Sequence, residues 1–282
     1  MLDTGSGEKL EKFGSYTLSR PYEGAVWQKT LKREWQDADG RFSTSKEAGK
    51  SGWKLKKTVY KKWEMSYKGI KFSASPTPFR HLGFFPEQAV HWDFIEKEIE
   101  KAGQASKLGR PIRFLNLFGY TGVASLFALR AGAEVTHVDA SKQTLTLAKE
   151  NQRLSVMENL PMRVICDDAL KFMEREEKRG NRYDCIIMDP PKFGRGPKDE
   201  VWKLEENMSE LLSSARNLLS DTPVFIILTS YATNSSSLSL GYALSDAMAG
   251  LKGEVESGEL CLQEESCGRL VSLANTAIWQ KI

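Results

Sequence analysis

The sequence predicts an α/β fold: a mostly parallel sheet flanked by helices, ending in an antiparallel strand and preceded by a small β-rich domain. Three observations predict it. From Arg113 onward, short apolar runs alternate with amphipathic stretches, the rhythm of strand–helix–strand units. The last two strand candidates, Glu254–Cys261 and Leu270–Trp279, have no long helix between them, so the sheet closes with an antiparallel hairpin. Residues 1–80 show short aromatic or alternating segments separated by turn residues instead.

Within residues 1–80, strands are predicted at Ser15–Arg20, Lys54–Tyr60, Trp63–Tyr67 and Ile70–Ala74, with Lys68-Gly69 as a hairpin turn. Asp37–Gly52, rich in Gly, Ser and Lys, reads as a flexible loop. Residues 81–110 form a bridge: His81–Gln88, then the amphipathic stretch Ala89–Ala102. Beyond it, strands are expected at Arg113–Phe118, Val135–Asp139, Met162–Cys166, Cys185–Met188 and Val224–Thr229. Helices are expected at Thr121–Ala131, Ser141–Ser155, Asp168–Arg179, Leu204–Leu219 and Ser237–Met248. The domain boundary is set at 80/81, with 1–80 as the accessory domain and 81–282 as the main one.

A chain of 282 residues, 40% apolar and 27% charged, has room for one such domain plus an accessory module. No apolar run approaches the ~20 residues of a membrane span. Met1–Gly5 has neither a basic start nor an apolar core, so no signal peptide is read. Cys166, Cys185, Cys261 and Cys267 show no metal-ligand spacing; no metal is expected, and reduced thiols of a cytoplasmic protein are the default. The net charge of +3 hides an asymmetry: residues 1–80 hold 17 Lys/Arg against 9 Asp/Glu. A basic front module on a slightly acidic body points to a polyanionic partner. The segment Trp53–Trp63 interleaves lysines with aromatics, which suits either a nucleic-acid surface or a strand with a solvated Lys face and an aromatic core face.

The strand Arg113–Phe118 runs into Gly119-Tyr120-Thr121-Gly122 and a helix, and the next strand ends on Asp139. Strand, glycine turn, helix, strand and acid form the arrangement that binds a nucleoside-bearing cofactor. The glycines admit close backbone approach, and Asp139 stands where a ribose diol is gripped. The Gly-x-Gly-x-x-Gly fingerprint is absent, so a cofactor without phosphates fits better than a dinucleotide, and S-adenosylmethionine is the obvious one. The third strand ends in Asp167-Asp168-Ala169; Asp168 reads as a contact to the adenine amine, as a helix N-cap, or as both. Ser141 reads first as an N-cap.

Asp189-Pro190-Pro191-Lys192-Phe193 follows the apolar run Tyr183–Met188. The prolines leave the Asp189 and Pro190 carbonyls without a following N–H, free to accept from a substrate amine, while Phe193 offers a face for a planar ring. The plainer reading is a strand stopped by prolines and an ordinary turn.

Together, Phe114–Gly122, Val138–Ser141 and Asp189–Gly194 resemble the class I S-adenosylmethionine-dependent methyltransferases, and within them the branch of bacterial large-subunit ribosomal RNA methyltransferases and their uncharacterised relatives. The resemblance covers about residues 80–282. It implies the Rossmann-like sheet of that class, with a cofactor site built from Asn116, Phe118, Gly119, Tyr120, Thr121, Gly122, Asp139, Ala140, Ser141, Asp168, Ala169 and Asp189. Gly83–Gln88 is similar to the branch's lid motif Gly-x-Phe-x-Asp-Gln, which implies cofactor contacts for Phe85 and Gln88. Residues 194–205 resemble a less studied subgroup.

If the target is an exocyclic amine, Asp189 and the Pro190 carbonyl accept its protons, Pro191 shapes the turn, Phe193 stacks, and Lys192, Arg195 and Lys198 meet phosphates from a mobile Gly/Pro-rich lip. Ring-carbon methylation of cytosine needs a cysteine, which in that branch follows the strand matching Val224–Thr229; here the segment is Leu228-Thr229-Ser230-Tyr231, without a thiol. Cys185 reads as packing. His137 reads as core, His91 as exposed on its helix, and His81 as a residue near the cofactor carboxylate. Tyr231 and Asn234 read as packing and a turn. The expected function is methylation of a nitrogen on RNA, ribosomal RNA by analogy. The alternatives are methylation of a protein side chain or small molecule, a non-catalytic RNA-binding factor that keeps the fold, and a nicotinamide dehydrogenase, the weakest.

Overall fold

The computed structural model describes residues 1–44, 51–105, 109–231 and 236–282. The chain divides into two compact units, Met1–Pro86 with Cys261–Ser272, and Glu87–Leu260 with Leu273–Ile282. In the first, β1 (Asp3–Gly5), β2 (Glu8–Phe13), β3 (Tyr16–Pro21), β4 (Gly40–Ser43) and β5 (Gly52–Leu55) form a five-stranded sheet in that order, and helix α1 (Lys32–Gln36) separates β3 from β4 in sequence. β6 (Trp63–Tyr67) and β7 (Ile70–Ala74) pair as a hairpin. Its turn is Lys68-Gly69, both with positive φ, the backbone that matches a two-residue turn to the twist of its strands.

Three expectations change in this unit. Lys54–Tyr60 is not a strand throughout: β5 stops at Leu55, because β4 offers only Gly40–Ser43 to pair with, and Val59 N then bonds back to Lys56 O in a turn. Asp37–Gly52 is not simply a loop, since it contains β4, whose Phe42 is buried; residues 45–50 of that stretch lie outside the described residues. β1 and β2 were not predicted at all. Glu8-Lys9-Leu10-Glu11-Lys12-Phe13 looks like a solvated charged run, yet Glu11 is only 2% exposed and Lys9 and Arg20 are buried with it. In Trp53–Trp63, Trp53 packs edge-on against Phe42 and Trp63 against Tyr16, while Lys54, Lys56, Lys57, Lys61 and Lys62 are exposed and Tyr60 is 71% exposed.

The Glu11 cluster is a folding constraint. Arg20 grips both carboxylate oxygens through Nε and Nη2 at 2.7 Å each, and Lys9 approaches to 3.3 Å. Burial alone would raise the Glu11 carboxyl, but the two cations hold it down to about 2. Removing one partner strands the other charge in the interior.

In the second unit, a 3-10 turn (Pro86–Gln88) leads to α2 (Ala89–Ala105), and then strands and helices alternate: β8 (Arg113–Leu117), α3 (Val123–Arg130), β9 (Glu134–Asp139), α4 (Lys142–Leu154), β10 (Met162–Cys166), α5 (Ala169–Lys178) and β11 (Cys185–Met188). A small hairpin, β12 (Phe193–Arg195) and β13 (Val201–Lys203), interrupts the rhythm before α6 (Leu204–Asn217), β14 (Phe225–Ser230), α7 (Ser237–Ala247), β15 (Glu254–Gln263) and β16 (Leu270–Gln280). The sheet order is β10-β9-β8-β11-β14-β16-β15, parallel from β10 to β14, with β16 antiparallel to β14. The predicted fold class holds. Central strands are apolar on both faces: Leu115, Leu117, Ile186, Met188, Ile226 and Leu228 share a core with Phe172, Leu211, Leu212 and Leu244 of the helices, and Phe114, Cys185, Ile187, Phe225 and Ile227 are buried on the opposite face. Among the described residues no helix is long and apolar enough to cross a membrane.

Register positions the site. Leu117 pairs with Val138 on one side and Met188 on the other, and Met188 pairs with Leu228. Phe118, Asp139, Asp189 and Thr229 therefore stand level, each one residue further along. The strand order reverses between β8 and β11, the switch point where open α/β sheets bind ligands beyond their carboxyl ends.

Glu11→Ala is expected to cost about 3–5 kcal/mol at neutral pH, read by urea denaturation. Because the native carboxyl lies below its ordinary value of 4.5, the stability it provides is present above that value and lost as pH falls towards about 2. The gap between wild type and variant should narrow over that window.

Candidate active site

The glycine turn after β8 is held from beneath by a chain of buried polar groups. Asn116 Nδ2 donates to Ser125 Oγ at 3.0 Å, the Ser125 hydroxyl donates to His137 Nδ1 at 3.0 Å, and His137 Nε2 donates to the Tyr120 carbonyl at 3.3 Å. One neutral imidazole tautomer satisfies all three contacts. Burial pushes the His137 pKa down to about 4 despite the nearby Asp139 charge, so the ring stays neutral. Gly119 sits directly on that ring: a Cβ there would lie 2.3 Å from His137 Cε1. Gly122 has φ +81° and caps α3, and for that reason the helix begins at Val123 rather than Thr121.

Asp139 fastens the turn to the next one. Its Oδ2 accepts from Tyr120 N at 2.9 Å, and its Oδ1 accepts from Ser141 N and the Thr144 hydroxyl, each at 2.9 Å. In a phosphate cradle the turn's N–H groups face the ligand; here the Tyr120 N–H is committed to a carboxylate. The basic side chains nearby are committed too, Lys171 to Glu200 and Arg175 to Asp167. Carboxylates at strand ends with their cations already paired fit a phosphate-free, cationic nucleoside cofactor. Asp139 with the Phe118–Gly122 turn, Ala140 and Ser141 would hold its ribose side, and Asp168 with Ala169 its base. Asp168 caps α5 through Oδ1 to Lys171 N at 3.0 Å, and Ser141 caps α4 through Oγ to Thr144 N at 3.3 Å.

Asp189 lies at the end of β11, and its Oδ1 is buried with no hydrogen-bond partner among the described residues. Oδ2 accepts from Gln88 Nε2 at 3.2 Å, and the same amide nitrogen donates to Tyr231 Oη at 3.1 Å. Gln88 is contacted in turn: its Oε1 lies 2.8 Å from His91 Nδ1, and His91 Nε2 lies 3.0 Å from the Thr276 hydroxyl, which donates to the Leu228 carbonyl at 3.1 Å. Tyr231 also hydrogen-bonds the buried Glu87. Burial, and then the Glu87 charge, push the Asp189 carboxyl up to about 8. Among the described residues nothing hydrogen-bonds the Asp189 or Pro190 carbonyl. The Pro191 carbonyl, by contrast, accepts from Trp202 Nε1 at 2.6 Å.

Trp202 changes the reading of the basic loop. Residues 193–203 are not an open lip but the β12–β13 hairpin, with Gly194 opposite Trp202 and the turn closed by Gly196 N to Glu200 O. Trp202 is buried, and its ring meets the Phe118 ring at 4.9 Å between centroids; Glu200 bonds Lys171 at 2.8 Å. The hairpin is pinned from below and presents Phe193, 57% exposed, with Lys192, Arg195 and Lys198 on its surface.

The structure thus brings together Gln88, Asp189 and the strand-end acids of the second unit. Phe85 stands in the first unit, its ring tilted against His81 at 5.5 Å. Asn116 works beneath the turn rather than in it. His91 is not exposed, as predicted for its helix, but 1% exposed, because the helix turns it toward Gln88 and Thr276. Tyr231 is not mere packing, and Asn234 lies outside the described residues. The sequence assigns no part in the site to Glu87, Tyr231 or Trp202; only Glu87 carries a signal, as the acid of the lid motif. Gly119→Ala should drive a methyl into the fixed His137 ring, at a cost of about 1–3 kcal/mol. A lower Tm by thermal melting and a cofactor affinity reduced tenfold or more by calorimetry are the expected results.

Comparison with known proteins accords with this geometry. Residues 99–230 match the family model described as conserved hypothetical protein 95. The ribosomal RNA large subunit methyltransferase I of Tolumonas auensis is 31% identical over 149 residues, 52% of this chain and 32% of that protein, so the match spans about a third of the relative's length. A solved chain complexed with SAH aligns at a TM-score of 0.75 over 97% of this chain and 72% of its own, at 19% identity, and so shares the fold. The SAM-dependent methyltransferase from Agrobacterium tumefaciens aligns at a TM-score of 0.93 with 43% identity, over 100% of this chain and 90% of that one. At that identity and coverage, with the cofactor fold and strand-end acids already in place, the chain belongs to the S-adenosylmethionine-dependent methyltransferases.

Proposed function

We propose that this methyltransferase modifies a nitrogen on RNA, with large-subunit ribosomal RNA as the substrate, in the cytoplasm. The observation that carries the reading is the buried Asp189 Oδ1, which has no partner among the described residues, next to the Asp189 and Pro190 carbonyls that are open among the same residues. A buried acceptor of this kind is satisfied by an N–H donor, and an exocyclic amine supplies two. The bound cofactor supplies an electrophilic methyl group on a sulfonium, which needs no metal and little acid catalysis. What remains for the protein is alignment and charge. Asp189 and the Pro190 carbonyl orient the amine and stabilise positive charge as it forms on nitrogen. Phe193 stacks the ring from the hairpin.

The ring-carbon route lacks its nucleophile. Tyr231 occupies the stretch where that chemistry places a cysteine, and Cys185 is buried in β11 with its thiol pushed well above the ordinary range by burial. RNA as the polymer is supported by the exposed cations beside Phe193 and by the relatives, which are named as ribosomal RNA large subunit methyltransferases. Residues 1–80, with their exposed lysines and Tyr60, would serve as the accessory RNA-binding domain, and 81–282 as the methyltransferase domain with a lid segment over 81–110.

Labelled methyl from S-adenosylmethionine should enter ribosomal RNA from cells lacking the protein and digest to an N-methylated nucleoside. Asp189→Ala should abolish transfer with cofactor affinity changed only a few-fold, whereas Asp139→Ala should weaken the cofactor tenfold or more. Label found as a carbon-methylated base, or only in protein, would refute the reading.

A further inference from the structure

Asp189 Oδ1 has a neighbour of its own kind. Thr229, at the end of β14, is 0% exposed, and its Oγ1 has no hydrogen-bond partner among the described residues. Register sets the two side by side. Met188 pairs with Leu228, and both lie in the core shared with Phe172, Leu211 and Leu244. Side chains alternate along a strand, so the next residues, Asp189 and Thr229, face the opposite side of the sheet. The contacts there agree: Gln88 meets Asp189 Oδ2, and Thr276, the residue paired with Thr229, meets His91 of α2. Neighbouring strands stand about 4.8 Å apart, yet the Thr229 hydroxyl does not bond the carboxylate.

The unpaired hydroxyl has no structural use. Thr276, one strand over, donates to the Leu228 carbonyl at 3.1 Å, so the neighbouring position shows how such a group is ordinarily satisfied. Ser230 Oγ is also buried without a partner among the described residues, but by alternation it belongs to the other face, with Leu228. Phe225 and Ile227 share the face of Thr229 and are buried, so packing alone asks for a valine there. A buried hydroxyl with its proton unpaired costs about 1–3 kcal/mol and adds nothing to packing that a methyl would not. The two groups also differ in kind: Asp189 Oδ1 can accept, whereas the hydroxyl has a proton to give.

We infer that Thr229 is a specificity-determining residue of the substrate site, its hydroxyl donating to the ring nitrogen next to the amine that Asp189 Oδ1 accepts. The inference rests on the amine-methylation reading above and narrows its substrate. Satisfying both groups at once takes a donor and an acceptor side by side on one edge. Adenine and cytosine offer that pair, an exocyclic amine beside a bare ring nitrogen. The Watson–Crick edge of guanine sets an N–H beside its amine and leaves the hydroxyl proton without an acceptor; uracil has no amine, and a lysine amine has no acceptor beside it. Two hydrogen bonds along one edge also stop the ring from turning in its own plane, a rotation that one bond to Asp189 leaves free.

The test pairs stability with transfer. Thr229→Val replaces the hydroxyl by a methyl of the same shape, so the free protein should melt at the wild-type Tm or above it. Methyl transfer from S-adenosylmethionine into ribosomal RNA of cells lacking the protein should nevertheless fall about tenfold to a hundredfold in kcat/KM. Thr229→Ser keeps the donor and should recover most of that loss, and calorimetry should show S-adenosylmethionine affinity unchanged in both variants. The wild-type product should digest to N-methylated adenosine or cytidine. A Thr229→Val protein that transfers at the wild-type rate would overturn the inference. So would a loss of transfer that follows a lower Tm and is not recovered by serine, the mark of a packing role. Label on a guanine nitrogen would overturn it and leave the amine reading intact. A wild type that labels no RNA nitrogen would overturn the amine reading, and this inference with it.

Discussion

Leaving a buried carboxylate oxygen unpartnered costs about 1–3 kcal/mol or more, and this fold maintains one at its switch point. Among the described residues Asp189 Oδ1 has no partner: Gln88 holds only Oδ2, and the two prolines that follow have no N–H to offer it. The rest of the site can be understood as what keeps that oxygen in place and short of water. Level strand ends set Asp189 beside Phe118 and opposite Asp139 in register. His91, itself against Thr276, contacts Gln88 and adds a second anchor to the clamp.

The same economy of fixed polar groups recurs on the cofactor side. His137 cannot charge, cannot tilt away from Ser125 and Tyr120, and so presents a rigid floor on which only glycine at 119 fits. Asp139 ties two turns with three donors. Trp202 does the corresponding task for the substrate side: its indole bonds the Pro191 carbonyl and its ring meets Phe118, so one side chain joins the cofactor turn, the Asp-Pro-Pro segment and the basic hairpin. Sites that orient a nucleophile within tenths of an ångström need such support from residues that never touch the reactants.

Much of this was legible in the sequence, for physical reasons. Parallel strands buried on both faces leave apolar runs, and glycines with tight neighbours leave a motif, so β8, β9, β11 and β14 and the 119–122 turn could be located. Ser141 reads as a cap, and a cap is one of the two readings of Asp168, because cap chemistry is local. What the sequence hid was charge turned inward and polarity paired across long separations. Glu11, Lys9 and Arg20 in β2 and β3 look solvated, and only the folded sheet shows that they neutralise one another. Gln88, Tyr231 and Thr276 are far apart in the chain, and no periodicity announces that they meet. The β12–β13 hairpin was read as a loose lip because Gly and Pro dominate it, while the single Trp that pins it carries no pattern.

The chemistry of the site turns on what satisfies Asp189 Oδ1. The most direct measurement is a crystal structure of the protein with S-adenosylhomocysteine and the isolated methyl-acceptor fragment. An exocyclic nitrogen within hydrogen-bond distance of Asp189 Oδ1, its ring on Phe193, is the predicted result. A ring carbon or an oxygen presented to the cofactor sulfur, with Asp189 Oδ1 still unpartnered, would contradict it.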